Sequence, residues 1–170
     1  MQIKSRFKIA RRILIFWTLF IGIGAVAGAL GMLTDPTGKN MGMDAMLPYF
    51  QVLPFADIVF QDFRFSGWAL LIVNGLSNLT AAGLLFAKKP SGVVLGGTFG
   101  VTLMLWICIQ FYMFPPNFMS TIYFIFGAAQ ATTGYAAWIF KKQESFCIRL
   151  ADYPNIGTNP KRSVVFFSRM

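Results

Sequence analysis

Charged side chains are absent from four stretches of this chain, residues 13–33, 66–87, 92–113 and 118–140. Each stretch is just over twenty residues long. At ~1.5 Å of rise per residue a helix of that length covers ~30 Å, the thickness of a bilayer's hydrocarbon core. Polar breaks separate the stretches. Residues 34–65 hold Asp35, Asp44, Asp57 and Asp62 against Lys39 and Arg64, and Pro36, Pro48 and Pro54 punctuate them. Lys88-Lys89-Pro90 is a small basic turn, and Phe114-Pro115-Pro116-Asn117 is an uncharged one. The pattern predicts an all-α membrane protein: a four-transmembrane-helix bundle with a basic N-terminal tail (1–12), an outer loop (34–65) and an extended C-terminal tail (143–170). Within the outer loop, residues 43–47 and 56–60 are amphiphilic and read as short helical turns lying on the bilayer surface.

Composition agrees with a bilayer as solvent. The chain has 170 residues, 56% hydrophobic and only 12% charged, about half the charge of an ordinary soluble domain. Its net charge of +9 is unevenly distributed. The N-terminal tail carries +5, the Lys88-Lys89 turn +2 and the C-terminal tail together with Lys141-Lys142 +4, while the long loop carries −2. All positive segments fall on one side of a four-span arrangement, so both termini are expected in the cytoplasm and the protein in the plasma membrane. Membrane flanks account for the basic excess, and no nucleic-acid partner is expected. Ala25-Val26-Ala27 could serve as a signal-peptidase site after Arg11-Arg12. The apolar run continues past it to full spanning length, which favours a retained helix.

The candidate chemistry is sparse. The chain lacks histidine, which removes His-ligated haem or metal and His-based nucleophile activation. Cys108 falls within a span and Cys147 in the tail, so a disulfide between them is not expected. No catalytic residue, metal site or cofactor is predicted. The helices do carry stripes of small and polar residues. Gly24-x-x-x-Gly28 on the first span and Gly96-x-x-x-Gly100 on the third have the spacing that lets backbones approach, and Gly127 and Gly134 share a face of the fourth. Asn74, Ser77 and Asn78 share a face of the second span, and Gln130 lies in the middle of the fourth. An unpaired amide costs several kcal/mol in hydrocarbon, so these groups must find partners inside the bundle. Interhelical hydrogen bonding is the simpler reading. A polar site for a small molecule or lipid is the functional one.

The spans, with Gly67-Trp68 through Asn74-Gly75 and then Trp106-Ile107 and Gln110, resemble uncharacterised bacterial four-helix integral membrane proteins. That family implies an architecture and no activity. Residues 161–170, Lys-Arg-Ser-Val-Val-Phe-Phe-Ser-Arg-Met, resemble the first strand of a flavodoxin-like domain. That resemblance implies a membrane part of a longer redox fusion, or a truncated product of one. Three functions are therefore in view. The first is a non-enzymatic anchor, scaffold or partner subunit that meets a second copy or another membrane protein through its glycine faces. The second is a transporter subunit for a small molecule or lipid, using the buried amides. The third is the membrane part of a flavodoxin-like fusion.

Overall fold

The computed structural model describes residues 2–151 except 54, 114 and 116, and the described residues contain helices and turns but no strand. Four long helices dominate: α1 (Gln2–Thr34), α2 (Arg64–Phe86), α3 (Pro90–Met113) and α4 (Phe118–Ala151). The flavodoxin-like resemblance, at 161–170, lies outside the described residues.

Two of the helices run well beyond their apolar stretches. α1 begins at Gln2, so the basic residues before Ile13 form three turns of the same helix, and α4 continues past Phe140 to Ala151. No proline interrupts either extension, and Phe7 and Ala10 pack it onto the bundle. Within the loop, Asp44–Val52 is a 3-10 helix and Ala56–Val59 is one α-helical turn.

The helix ends have identifiable causes. α1 stops before Pro36, and the Asp35 carboxylate then accepts the Asn40 N–H (2.8 Å) and the Thr37 hydroxyl (2.6 Å). α2 ends with the Lys89 N–H donating to the Leu84 carbonyl and the Lys88 N–H to that of Leu85. This is the Schellman arrangement, and it places Lys88 in the left-handed region (φ 56°) that usually selects glycine. α3 opens on Pro90, whose missing N–H is no loss in a first turn. α4 is capped by Asn117, whose Oδ1 accepts the Ser120 N–H at 2.8 Å.

The helices form a four-cornered bundle in chain order, and α1 closes the ring by packing on α4. Successive helices run antiparallel. On α1 and α2, for example, Gly22 meets Leu79, Gly28 meets Leu70 and Leu33 meets Gly67. α2 and α4 therefore stand on a diagonal. The interior is layered along the axis. Leu14, Leu85, Val93 and Ala137 form an apolar layer near the Lys88-Lys89 turn. Ile21, Leu103 and Ile107, with surrounding aromatics, form a second one further along. Phe50 and Phe63 anchor the loop over the far end, against Met32 and Met113. The surface is apolar in turn: Phe16, Ile23, Ile72, Val94 and Leu105 are all exposed.

Among the described residues three helical segments are long and apolar enough to cross a membrane, Ile3–Thr34, Arg64–Phe86 and Pro90–Met113. α4 has the length. Its apolar character is diluted by Gln130 and by several serines, threonines and glycines, so it does not join the three.

Candidate functional site: a buried amide layer

Between the two apolar layers lies a polar one, drawn from four helices. α2 brings Asn74 and Asn78, α4 brings Gln130, α3 brings the backbone of Gly96, and α1 brings Thr18. The three amides are almost wholly excluded from solvent, at 1%, 0% and 0% exposure, and Thr18 is equally buried. Thr18 is satisfied within its own helix, donating to the Leu14 and Ile15 carbonyls at 3.0 Å each.

The amides form a directed chain. Gln130 Nε2 donates both its hydrogens, one to Asn78 Oδ1 (2.7 Å) and one to the Gly96 carbonyl (2.7 Å). Asn78 Nδ2 then donates to the Asn74 carbonyl (2.8 Å). Each partner fixes the orientation of the next. Two oxygens face the Gln130 nitrogen, so that amide cannot be turned over, and Asn78 must present oxygen to Gln130 and nitrogen to the Asn74 carbonyl. Chains of this kind polarise one another in a low-dielectric interior. The Asn78–Gln130 bond joins α2 to α4 across the bundle's diagonal.

Three atoms stand outside the chain. Asn74 Oδ1, Asn74 Nδ2 and Gln130 Oε1 are buried without a hydrogen-bond partner among the described residues. Asn74 also sits in a widened turn, because Leu71–Leu76 is a π-helical segment within α2. Such bulges occur often at functional sites. An apolar run interrupted only by Asn74-Gly75 carries no sign of this register change in the sequence. Gly75 lies close to Val26 of α1 there.

Ser77 takes no part in the layer. It is half-buried, and its hydroxyl donates to the Val73 carbonyl of its own helix. The expected glycines divide in three ways. Gly100, Gly127 and Gly134 lie where α3 and α4 touch backbone to backbone. A Cβ on Gly100 would stand 2.5 Å from the Ala131 nitrogen, and one on Gly134 would overlap the Cα of Gly97. Gly96 instead receives the Leu14 side chain of α1. Gly28 meets Leu70, and Gly24 meets only the Tyr123 hydroxyl, at 3.8 Å. Gly97 is a close-approach position that the four-residue spacing does not pick out, whereas Gly92, four residues before Gly96, fits that spacing and meets the backbone of Leu84 and Leu85. Cys108 and Cys147 are exposed free thiols.

Carboxamides donate and accept hydrogen bonds but do not ionise near neutrality, so this layer can hold a polar guest and cannot move a proton. Fold and site together define a helical bundle with a membrane-type exterior and an uncharged polar interior. No family model, curated protein or solved structure matches the chain.

Proposed function

We propose that the chain is a four-span integral membrane protein of the plasma membrane, with both termini cytoplasmic. It acts as a non-enzymatic anchor, scaffold or partner subunit. A kinship with uncharacterised bacterial four-helix membrane proteins belongs to the same proposal. One observation carries the fourth span. The polar groups of α4 are withdrawn from its outer surface: Gln130 and Ser120 are buried. The exposed Thr121 and Thr132 donate back to carbonyls of the preceding turn, at 3.0 and 2.9 Å. A lipid would meet Phe118, Met119, Ile125, Tyr135 and Trp138 instead. Mean hydropathy weighs every residue alike, whereas the bilayer meets only one face. The one-sided distribution of basic residues supports the orientation.

The scaffold reading follows from how the interior is filled. Asn78 and Gln130 direct their donors at each other and at the Asn74 and Gly96 carbonyls, and glycine seams draw the helices into contact. Gly100, Gly127 and Gly134 are occupied within the chain, so a second copy or partner helix would use another face.

Reporter fusions at residue 90 and after residue 170 test the topology: both should report cytoplasm, and a signal from the far side at either position overturns it. Native mass spectrometry with an absorption spectrum tests the role. A colourless protein carrying lipid or a partner chain is expected, and a bound chromophore would return attention to a redox fusion. The unpartnered Asn74 amide favours one second reading, a transporter subunit for a small polar solute. Saturable uptake into proteoliposomes that is lost in Asn74→Leu would establish it in place of the scaffold.

A further inference from the structure

At the basic end of the bundle a cleft of about 310 Å³ opens between the first turns of α1, the α2–α3 turn and the extension of α4. Lys4, Lys8, Arg11 and Arg12 reach it from α1, and Lys88 from the turn. Glu144 is the single acidic residue in its lining. The ion pair found among the described residues joins Arg64 to Asp62, in the segment leading into α2, so Glu144 does not neutralise any of the five cations at contact distance. Arg11 is half-buried, and its Nε is fully shielded without a hydrogen-bond partner.

These cations are held on a packed scaffold. Phe7 lines the cleft and also packs against the apolar layer of Leu14, Leu85 and Val93. Lys88 occupies the left-handed C-terminal position of α2, where glycine would be unstrained. A charged side chain is therefore kept where backbone geometry argues against any side chain, and strain of this sort gathers at binding sites.

We propose that this cleft binds the phosphate of an anionic phospholipid headgroup. The terminal guanidinium nitrogens of Arg11 and Arg12 and the ammonium groups of Lys4, Lys8 and Lys88 are the donors a phosphate oxygen selects. The cleft's volume is many times the ~10–15 Å³ that a single water needs on the same measure, which accommodates a phosphate with its ester substituents. The source is decided by what lies beside it. Phe86, two residues before Lys88, is exposed at the end of α2, where the apolar exterior of the bundle begins. A phosphate held beside Lys88 can thus continue into acyl chains along that exterior, which a free phosphate would leave bare. Basic pockets between helices at the cytoplasmic boundary are of the kind that hold anionic headgroups. The acyl-chain part rests on the membrane-spanning reading. The reporter fusions test that reading separately, so failure of either can be told from failure of the other.

The test uses the full chain in a mild neutral detergent, titrated with dioleoyl phosphatidylglycerol or dioleoyl phosphatidylcholine and read by native mass spectrometry. One phosphatidylglycerol should be retained in preference to phosphatidylcholine, and millimolar inorganic phosphate should not displace it. Each cation near a membrane surface changes anionic-lipid affinity about fivefold. Lys88→Gly should therefore weaken retention by about that factor, and Lys88→Gly with Arg11→Gln by about twenty-five-fold. Lys88→Gly also relieves the left-handed backbone, so the loss cannot be assigned to misfolding. Lys141→Gln with Lys142→Gln, outside the cleft, should change retention little. Displacement by inorganic phosphate would overturn the lipid assignment in favour of a soluble phosphate. No preference over phosphatidylcholine, or an equal loss in the Lys141/Lys142 variant, would overturn the site.

Discussion

The bond between Asn78 and Gln130 is the sharpest energetic claim the structure makes, because it is one member of a countable set. Three hydrogen bonds link the amide layer: Gln130 to Asn78, Gln130 to the Gly96 carbonyl, and Asn78 to the Asn74 carbonyl. Asn78→Leu removes two of them and Gln130→Leu removes two, with the Asn78–Gln130 bond common to both. Polar contacts in membrane bundles are worth about 0.6–2 kcal/mol each, so each single substitution should cost about 1–4 kcal/mol. The double variant removes three bonds rather than four. Its cost should fall short of the sum of the singles by one bond, about 0.6–2 kcal/mol. The margin widens if one single variant strands its partner's amide in the core. Reversible unfolding in mixed micelles, followed by tryptophan fluorescence, measures all four corners of the cycle. Additive costs, within about 0.3 kcal/mol, would refute the contact. A double variant worse than the sum would mean that the amides stabilise the bundle through partners other than each other.

Asn74→Leu removes an amide with no partner among the described residues, and should be neutral or stabilising by up to about 2 kcal/mol in the same assay. A clear loss of stability would reveal a partner, such as a buried water bridging Asn74 and its neighbours. Gly134→Ala places a methyl on the Cα of Gly97 and should cost about 1–3 kcal/mol. Gly83→Ala meets nothing within 4 Å and should be neutral or stabilising by about 0.5–1 kcal/mol. Equal melting temperatures for the two variants would remove the α3–α4 seam from the account. The Asn40 N–H and the Thr37 hydroxyl hold the Asp35 carboxyl below its ordinary value. A lowered folded value means that this carboxylate stabilises the loop above the unfolded carboxylate range and stops doing so as pH falls through the folded value. The protection of the Thr37 and Asn40 amides, measured relative to the intrinsic exchange rate at each pH, should therefore fall on acidification, and should lose that dependence in Asp35→Asn.

What the sequence determined by itself is what a chain encodes locally. Runs without charge announce membrane-length helices, Pro36 and Pro90 mark where helices stop and start, and the basic clusters lie at one end. The small-residue spacings announce faces that another backbone can approach. They do not say which backbone comes. Gly96 and Gly97 differ by 100° around α3, and only packing sends the first to α1 and the second to α4. The asparagine spacing places Asn74 and Asn78 on one face of an ideal helix. The π turn at 71–76 departs from that register, and Asn78 alone of the two reaches Gln130 through its side chain. Tertiary structure also decided that α2 and α4 lie on a diagonal, so that a single long amide bridges the core between them. Hydropathy leaves α4 short of the other three because it averages over all faces. The fold separates an inner face of amide and glycine from an outer face of aromatic and aliphatic side chains. The basic cleft follows the same logic: its cations come from positions 4 to 12 and from position 88, and three packed helices bring them to one mouth. Periodicity and charge are properties of neighbours along the chain. Which faces meet depends on the mutual fit of surfaces distant in sequence, and that fit exists only once the bundle has closed.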